Sequence, residues 1–174
     1  MKPSESIPTP GSWMYNMCVD PKSSKRYLKM FKIVNKFVIP LYRIRLLAMF
    51  GFRLLLLTTK GKKTGKLRRN PVEYFKIENV IYIVSGYGKK AFWFRNIVAH
   101  PNEVHVQVGF RSYHADVEII EGEALEEFFR WLVVKKPKYS KAGFGWDPND
   151  DPETADFSYI ASLMRVIKLK KPVT

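Results

Sequence analysis

Residues 54–85 read LLLLTTKGKKTGKLRRNPVEYFKIENVIYIVS, and this stretch decides the fold. Runs of leucine, β-branched and aromatic residues alternate with short polar segments, which is typical of strands joined by tight turns. One of these turns contains two glycines, and the other consists of Glu78 and Asn79 alone. The stretch therefore predicts three successive antiparallel strands. They are Leu54–Thr59, Arg68–Ile77 and Val80–Ser85.

The rest of the chain continues with short strands and short helices. Pro71 marks an edge or a bulge of its strand, because proline has no N–H to donate to a neighbour. Strands joined mainly by tight turns favour an antiparallel barrel over a doubly wound sheet. The sequence thus predicts a mainly β fold with flanking helices (α+β). The further predicted elements are a helix over 91–99, strands over 103–108 and 111–120, a helix over 121–134 and a strand over 164–170.

The N-terminal part predicts an arm followed by a helix. Residues 1–24 hold four prolines and show no clean periodicity, so we predict an arm there and one domain over 25–174. Tyr27, Phe31, Val34 and Val38 recur at helical spacing within the predicted helix 25–39. Pro40 is expected to end or kink this helix, and a second short helix is predicted over 41–51.

Charge is distributed very unevenly along the chain. The formal net charge is +14, and residues 21–72 hold fifteen Lys and Arg but no Asp or Glu. A basic half indicates an anionic partner, which leaves a phosphate, a nucleic acid and an anionic lipid open. No uncharged run reaches the ~18–20 residues that span a bilayer, but the basic helix would suit a peripheral contact with an anionic membrane. A solvated basic face is the alternative.

Cysteine and histidine usage excludes several kinds of site. Cys18 is the single cysteine, so no internal disulfide forms, and a reducing cytoplasm is the expected location, with association at the inner face of the membrane as an addition. His100, His105 and His114 fit no metal-binding pattern. The five acids within 147–156 lack the EF-hand pattern, so no metal site is predicted.

The turn between the first two strands, TTKGKKTGKLRR over 58–69, has the composition of a phosphate-binding loop. Its two glycines let the backbone turn tightly and expose N–H groups. The hydroxyls of Thr59 and Thr64 can donate to phosphate oxygens, while a set of basic side chains neutralises charge. A solvated basic hairpin turn remains the alternative, and the spacing of the glycines is not that of a Walker A loop. The basic side chains are those of Lys62, Lys63 and Arg68.

Two further segments suit a flat ligand. Ser85, Gly86 and Gly88 follow a strand, and glycines there would let the backbone approach a planar ring. The long crossover of a dinucleotide-binding fold does not follow them, so that interpretation is rejected. Trp93 and Asn96 share a helix face and would place a stacking ring beside an amide. A core tryptophan with a capping asparagine is the alternative.

Taken in order, these motifs resemble the F420-dependent quinone/nitroreductase family of deazaflavin oxidoreductases. The resemblance covers about residues 35–120, roughly half of the chain. It rests on a leucine-rich strand, the G-K-K-T-G loop, an S-x-G loop, a W-F-x-N helix ending in A-H-P, and a V-x-V-Q-V-G strand. Lys62 stands where the family pattern has arginine, and residues 137–159 do not align.

The resemblance implies a split β-barrel of the FMN-binding type that binds coenzyme F420, with FMN or another ligand as the alternative. Lys62, Lys63, Thr64 and Arg68 would hold the phosphate. Asn70 and Pro71 would border the ring. Ser85, Gly86 and Gly88 would approach it through the backbone, and Trp93 and Asn96 would lie beside it.

The implied activity is hydride transfer from reduced F420 to an electron-poor acceptor such as a quinone, an enone or a nitroaromatic. The sequence identifies no general acid; Tyr139 and Tyr159 are guesses for the proton donor, with bulk water as the alternative. The expected partners are the small-molecule acceptor, an anionic membrane surface and, by family expectation, a second copy in a homodimer. A non-catalytic module that binds membrane or nucleic-acid surfaces remains the competing function, and a nucleic-acid partner is the less favoured of the two.

Overall fold

The structure, a computed structural model, describes residues 7–43 and 53–171, and all structural statements concern these residues. Its helices are α1 Trp13–Cys18, α2 Pro21–Arg43, α3 Phe92–Ala99, α4 Glu123–Lys135, α5 Pro137–Phe144 and α6 Ser158–Leu163. Its strands are β1 Leu54–Lys60, β2 Leu67–Ile77, β3 Val80–Ser85, β4 Val104–Val108, β5 Arg111–His114, β6 Asp116–Ile120 and β7 Arg165–Lys170.

The seven strands form one antiparallel sheet in the order β5-β4-β1-β2-β3-β7-β6. The three predicted strands of 54–85 are confirmed as β1, β2 and β3. Glu78 and Asn79 both have positive φ, as a two-residue turn between right-handedly twisted strands requires. The fold is therefore mainly β with flanking helices, as the sequence predicted.

The sheet closes into a barrel because its two edge strands are one continuous segment. β5 and β6 lie at opposite ends of the strand order, yet only the buried residue Ala115 separates them. The N–H of Ala115 still donates to the carbonyl oxygen of Val104 at 2.9 Å. The sequence predicted one strand over 111–120, and the structure bends that strand so that it pairs with β4 first and with β7 afterwards.

Strand β2 belongs to two halves of the sheet in succession. Its first half pairs with β1, from Lys60 opposite Leu67 to Leu54 opposite Glu73. Its last four residues pair with β3 instead. Pro71 lies in the first half, where β2 pairs with β1 alone, and this agrees with the predicted edge position. Strand β2 thus connects the two halves of the split barrel.

Two apolar cores lie on the two sides of the sheet. Leu55 and Leu57 alternate inward from β1 into the barrel, where Phe94 and Ile97 of α3 also pack. The second core lies between the outer side of the sheet and the C-terminal helices, with Phe128 of α4 among its aromatic residues. The barrel core therefore positions α3 against the end of β1 and the start of β2.

The N-terminal segment packs on this second core. Met14 of α1 is only 1% exposed, and Met17 is also buried, so residues from α1 are part of the packed body. Helix α2 begins four residues before its predicted start and continues through Pro40 to Arg43. Of the two predicted effects of Pro40, the end of the helix is therefore wrong, and the kink stays a prediction. Proline removes one backbone hydrogen bond, and the remaining bonds carry the helix on. The predicted helix over 41–51 lies mostly outside the described residues.

Within the described ranges, no helix combines the length and the apolar character needed to cross a membrane. The division into an arm over 1–24 and one domain over 25–174 stays a prediction.

Candidate functional site

A cleft of about 570 Å³ lies where the β1–β2 loop, the start of β2 and helix α3 meet. Its volume falls in the usual range of small-molecule sites. Two segments that are about 20 residues apart in the sequence, 61–70 and 92–96, form its walls. The residues that line it are Gly61, Lys62, Lys63, Thr64, Arg68, Arg69, Asn70, Phe92, Arg95 and Asn96.

The β1–β2 loop is a compact turn held by its own backbone. The N–H of Gly61 donates to the carbonyl oxygen of Lys66 at 2.9 Å, and the N–H of Gly65 donates to the carbonyl oxygen of Gly61 at 2.8 Å. A Cβ on Gly61 would lie 2.8 Å from the hydroxyl oxygen of Thr64 and 3.1 Å from the carbonyl oxygen of Lys66, so a larger residue there would push the Thr64 hydroxyl aside. The turn holds three predicted phosphate-binding residues, Lys62 to Thr64, exposed along the cleft.

The pairing of β1 with β2 brings the other predicted residues to the cleft. Arg68 lies opposite Thr59 and Asn70 lies opposite Leu57, and directly paired residues share one face of a sheet. Thr59 and Leu57 are buried, so this is the inner face of the barrel. The side chains of Arg68 and Asn70 therefore project at the barrel end, next to α3.

Helix α3 supplies the opposite wall of the cleft. Phe92, Arg95 and Asn96 lie on one helix face through their spacing of three and four residues, while Phe94 and Ile97 anchor the helix in the barrel. The guanidinium carbon of Arg95 lies 4.8 Å from the centroid of the Phe92 ring, a cation–π contact. The Phe92 side chain is nevertheless 70% exposed, so a flat apolar surface faces the cleft.

Asn96 ties α3 to the basic loop. Its Oδ1 accepts a hydrogen bond from the backbone N–H of Lys62 at 3.0 Å. Its Nδ2 donates to the hydroxyl oxygen of buried Thr59 at 3.1 Å. The Asn96 amide was expected beside a ring and the Thr59 hydroxyl on a phosphate. In the structure these two groups bind each other, and Thr59 does not line the cleft.

Replacing Asn96 by alanine should destabilise the protein by about 2 kcal/mol and weaken the binding of an anionic ligand roughly tenfold. The variant loses two hydrogen bonds and leaves the buried Thr59 hydroxyl without its partner. Thermal unfolding measures the first effect and ligand titration measures the second. Thr59→Val keeps the bond between Asn96 and Lys62, so it should change the affinity much less; equal losses of affinity in both variants would contradict this role.

The electrostatics of the cleft favour an anion. Five Lys and Arg line it, and no Asp or Glu is among the lining residues. Helix α3 begins at Phe92 in the cleft wall, and no side chain caps its N-terminus. Uncapped N–H groups and the positive end of the helix dipole add to the attraction for negative charge. The residues present therefore fit a ligand that carries a phosphate.

The structure places the other predicted glycine loop away from the cleft. The Oγ of buried Ser85 donates to the carbonyl oxygen of Gly88 at 2.8 Å. A Cβ on Gly86 would lie 2.5 Å from the side chain of Met17, and a Cβ on Gly88 would overlap the carbonyl oxygen of Leu163. The atoms that approach the backbone closely at these two glycines are therefore the protein's own.

Trp93 and Pro71 are also outside the cleft lining. The half-buried Trp93 ring packs on the barrel core and meets the Phe94 ring edge-on, with 6.3 Å between centroids. Pro71 lies opposite Leu56 and so shares the outer face of the barrel. Phe92, the exposed aromatic residue next to Trp93 in the chain, lines the cleft where Trp93 was predicted to lie.

The two tyrosines considered as proton donors lie elsewhere. Tyr139 of α5 packs edge-on against Phe75, with 5.2 Å between centroids. Burial, together with the Glu73 carboxylate, raises the pKa of the Tyr139 hydroxyl above its ordinary value, so this group holds its proton tightly. Tyr159 of α6 is exposed. Neither side chain lines the cleft.

Sequence reasoning missed three cleft residues, Arg69, Phe92 and Arg95. A signal for two of them was present, because Phe92 and Arg95 precede Asn96 by four residues and one residue within the predicted helix 91–99. Arg69 alternates to the outer face of β2, and only the structure brings it to the rim of the cleft.

Comparison with known proteins identifies a family whose sequence pattern covers the residues of this cleft. The model of the F420H(2)-dependent quinone reductase family matches residues 45–147. Among solved structures, an F420-H2 dependent reductase (FDR-A) is 24% identical, over 68% of this chain and 94% of that chain, with a TM-score of 0.47. A chain described as a domain-swapped dimer is also 24% identical, over 68% and 80%, with a TM-score of 0.47. General Stress Protein 26 from Bacillus anthracis is 20% identical, over 70% and 81%, with a TM-score of 0.43.

The family match spans the cleft, the barrel strands β1 to β6 and helix α3, and covers more than half of the 174 residues. The description of the family names reduced F420 as the reductant, which confirms coenzyme F420 as the predicted cofactor and an F420-dependent oxidoreductase as the predicted kind of enzyme. On this match the chain belongs to the F420H2-dependent quinone reductase family.

Proposed function

We propose that this protein holds reduced F420 by its phosphate in the basic cleft and transfers hydride to an electron-poor acceptor. The carrying observation is the convergence of five Lys and Arg, with no acid, on a cleft of about 570 Å³. Bound F420 supplies the hydride, which passes to a quinone, an enone or a nitroaromatic. The name of the family supports a quinone as the first acceptor to test.

Each wall of the cleft has its own task in this proposal. The guanidinium of Arg68 would hold phosphate oxygens of the bound cofactor, and Lys63 would add a point charge. The backbone turn at Lys62 is held in position by Asn96, so the loop is organised before the ligand arrives. Asn70, half-buried on the inner face of the barrel, is an amide at the inner end of the cleft.

The cleft lining also bears on which surface the flat ring of the cofactor contacts and on which group supplies the proton in hydride transfer. The exposed Phe92 ring offers an apolar surface for a flat group. The Arg95 guanidinium lies over one face of the Phe92 ring. Tyr139 and Tyr159 do not line the cleft, so no proton transfer is proposed for them. Water then supplies the proton that accompanies the hydride.

Fluorescence titration with F420 and with FMN, followed by an oxidation assay with F420H2, tests the proposal. We expect saturable binding of F420 in the micromolar range or tighter, weaker binding of FMN, and oxidation of F420H2 by at least one of a quinone, an enone and a nitroaromatic. Tighter binding of FMN than of F420 would contradict the proposal that F420 is the cofactor. Tight binding of F420 without reduction of any acceptor would contradict hydride transfer.

The homodimer and the cytoplasmic location stay predictions. Analytical ultracentrifugation of the whole chain measures the oligomeric state. The contact with an anionic membrane depends on α2 and not on the cleft, so it forms a separate proposal.

A further inference from the structure

Helix α2 carries an apolar stripe that the rest of the protein leaves exposed. Met30, Ile33, Val34 and Phe37 follow the spacing of a single helix face. Their side chains are 45%, 54%, 41% and 66% exposed, whereas the Tyr42 side chain at the end of the helix is buried against the barrel. Several large apolar side chains that are this exposed on one helix face are typical of an interaction surface.

A second stripe of α2 is basic. Lys25, Lys29, Lys32 and Lys36 repeat at four, three and four residues, and all four are exposed. The whole helix contains seven Lys and Arg and no Asp or Glu. The third side of the helix, which includes Tyr27 and Val38, is half-buried, and α2 contacts α1 and β2. The apolar groups and the positive charge therefore both face outward.

We infer that α2 lies flat on an anionic lipid surface. The apolar stripe, defined as Met30, Ile33, Val34 and Phe37, enters the boundary between headgroups and acyl chains. The lysine stripe, defined as Lys25, Lys29, Lys32 and Lys36, lies among lipid phosphates. A helix whose hydrophobic face adjoins several lysines binds such a surface through buried apolar area and charge attraction together.

A second copy of the chain fits this surface less well. An isologous contact through the apolar stripe would bring two α2 helices together, and with them two rows of lysines. Helix α2 has no acidic side chain to compensate for that repulsion. Lipid phosphates provide the opposite charge that the lysine stripe needs.

A nucleic acid also fits less well, because its backbone matches only one of the two stripes. Phosphates would pair with the lysines, but protein surfaces that bind nucleic acids are polar and positively charged. Four exposed apolar side chains, among them Phe37 at 66% exposure, would gain nothing from a nucleic-acid backbone.

Cosedimentation with vesicles tests this inference on the whole chain. We expect binding to vesicles that contain phosphatidylglycerol, little binding to pure phosphatidylcholine, and weaker binding as salt increases. Lys29→Gln, Lys32→Gln and Lys36→Gln combined should lower the vesicle affinity roughly a hundredfold, since each lysine near the surface contributes about fivefold. Ile33→Ser with Phe37→Ser should lower it about tenfold or more.

A matched control separates this surface from the overall positive charge. Lys135→Gln, Lys138→Gln and Lys141→Gln remove the same charge from exposed positions on α4 and α5 and should leave vesicle binding within about twofold. Thermal unfolding and F420 titration verify that all variants are folded. Equal losses in the control, tighter binding to duplex DNA than to vesicles, or a wild-type dimer that Phe37→Ser converts to monomer would each overturn the inference.

Discussion

Replacing Lys63 and Arg68 together by alanine should weaken the binding of F420 about a thousandfold. Both side chains line the cleft, Lys63 from the β1–β2 loop and Arg68 from the start of β2, and they carry two of its five positive charges. A hydrogen bond to a charged group contributes about 1.5–3 kcal/mol, and two of them correspond to about 4 kcal/mol, or three orders of magnitude in Kd. Fluorescence titration measures the change.

Lys66 provides the control for this variant. It is exposed in the same loop and carries the same charge as Lys63, but it does not line the cleft. Lys66→Ala should therefore raise the Kd by no more than about threefold, through the loss of long-range attraction alone. If Lys66→Ala and Lys63→Ala have the same effect, charge near the loop rather than a phosphate site explains the binding.

Replacing Gly88 by alanine should destabilise the protein by about 3 kcal/mol or more and lower Tm by roughly 10 °C. Gly88 has a φ of +51° and is buried, and its added Cβ would overlap the carbonyl oxygen of Leu163 at the end of α6. Backbone on both sides must then move apart. Circular dichroism during heating measures the loss.

Gly109→Ala separates this overlap from backbone strain. Gly109 has a φ of +57°, and no heavy atom lies within 4 Å of the position of an added Cβ. The variant should cost only the left-handed backbone conformation, about 1 kcal/mol, or roughly 3 °C in Tm. Similar Tm values for the two variants would mean that the contact between Gly88 and Leu163 has no energetic weight.

The strands could be predicted from sequence because their signals are local. The run 54–85 contains its own strands and turns, and the structure moves their boundaries by only one residue. The closure of the sheet at Ala115 is not local. A one-residue bend inside a β-rich segment depends on β4 and β7, which lie on either side of it in space and not in sequence.

The cleft could be predicted in part for the same reason. Lys62, Lys63, Thr64 and Arg68 are neighbours in the chain, so their shared chemistry is visible in the sequence. The glycines at 86 and 88 show that backbone is approached closely there, but a sequence does not tell whether the approaching atoms belong to a ligand or to the protein. In the structure they belong to Met17 and Leu163.

The short helices could not be predicted because they are too short to show periodicity. Helix α1 has six residues and α6 also has six, less than two turns each. Their positions depend on burial of Met14 and Ile160 against the second core rather than on helix propensity.

The place of β7 has a consequence for synthesis on the ribosome. This strand lies between β3 and β6, yet it comes after every other strand in the chain. A nascent chain that has emerged only as far as α6 must leave one side of β3 and one side of β6 without hydrogen-bonding neighbours. The barrel can close only once residue 170 has left the exit tunnel, and until then the two waiting strands are open to pairing with other chains.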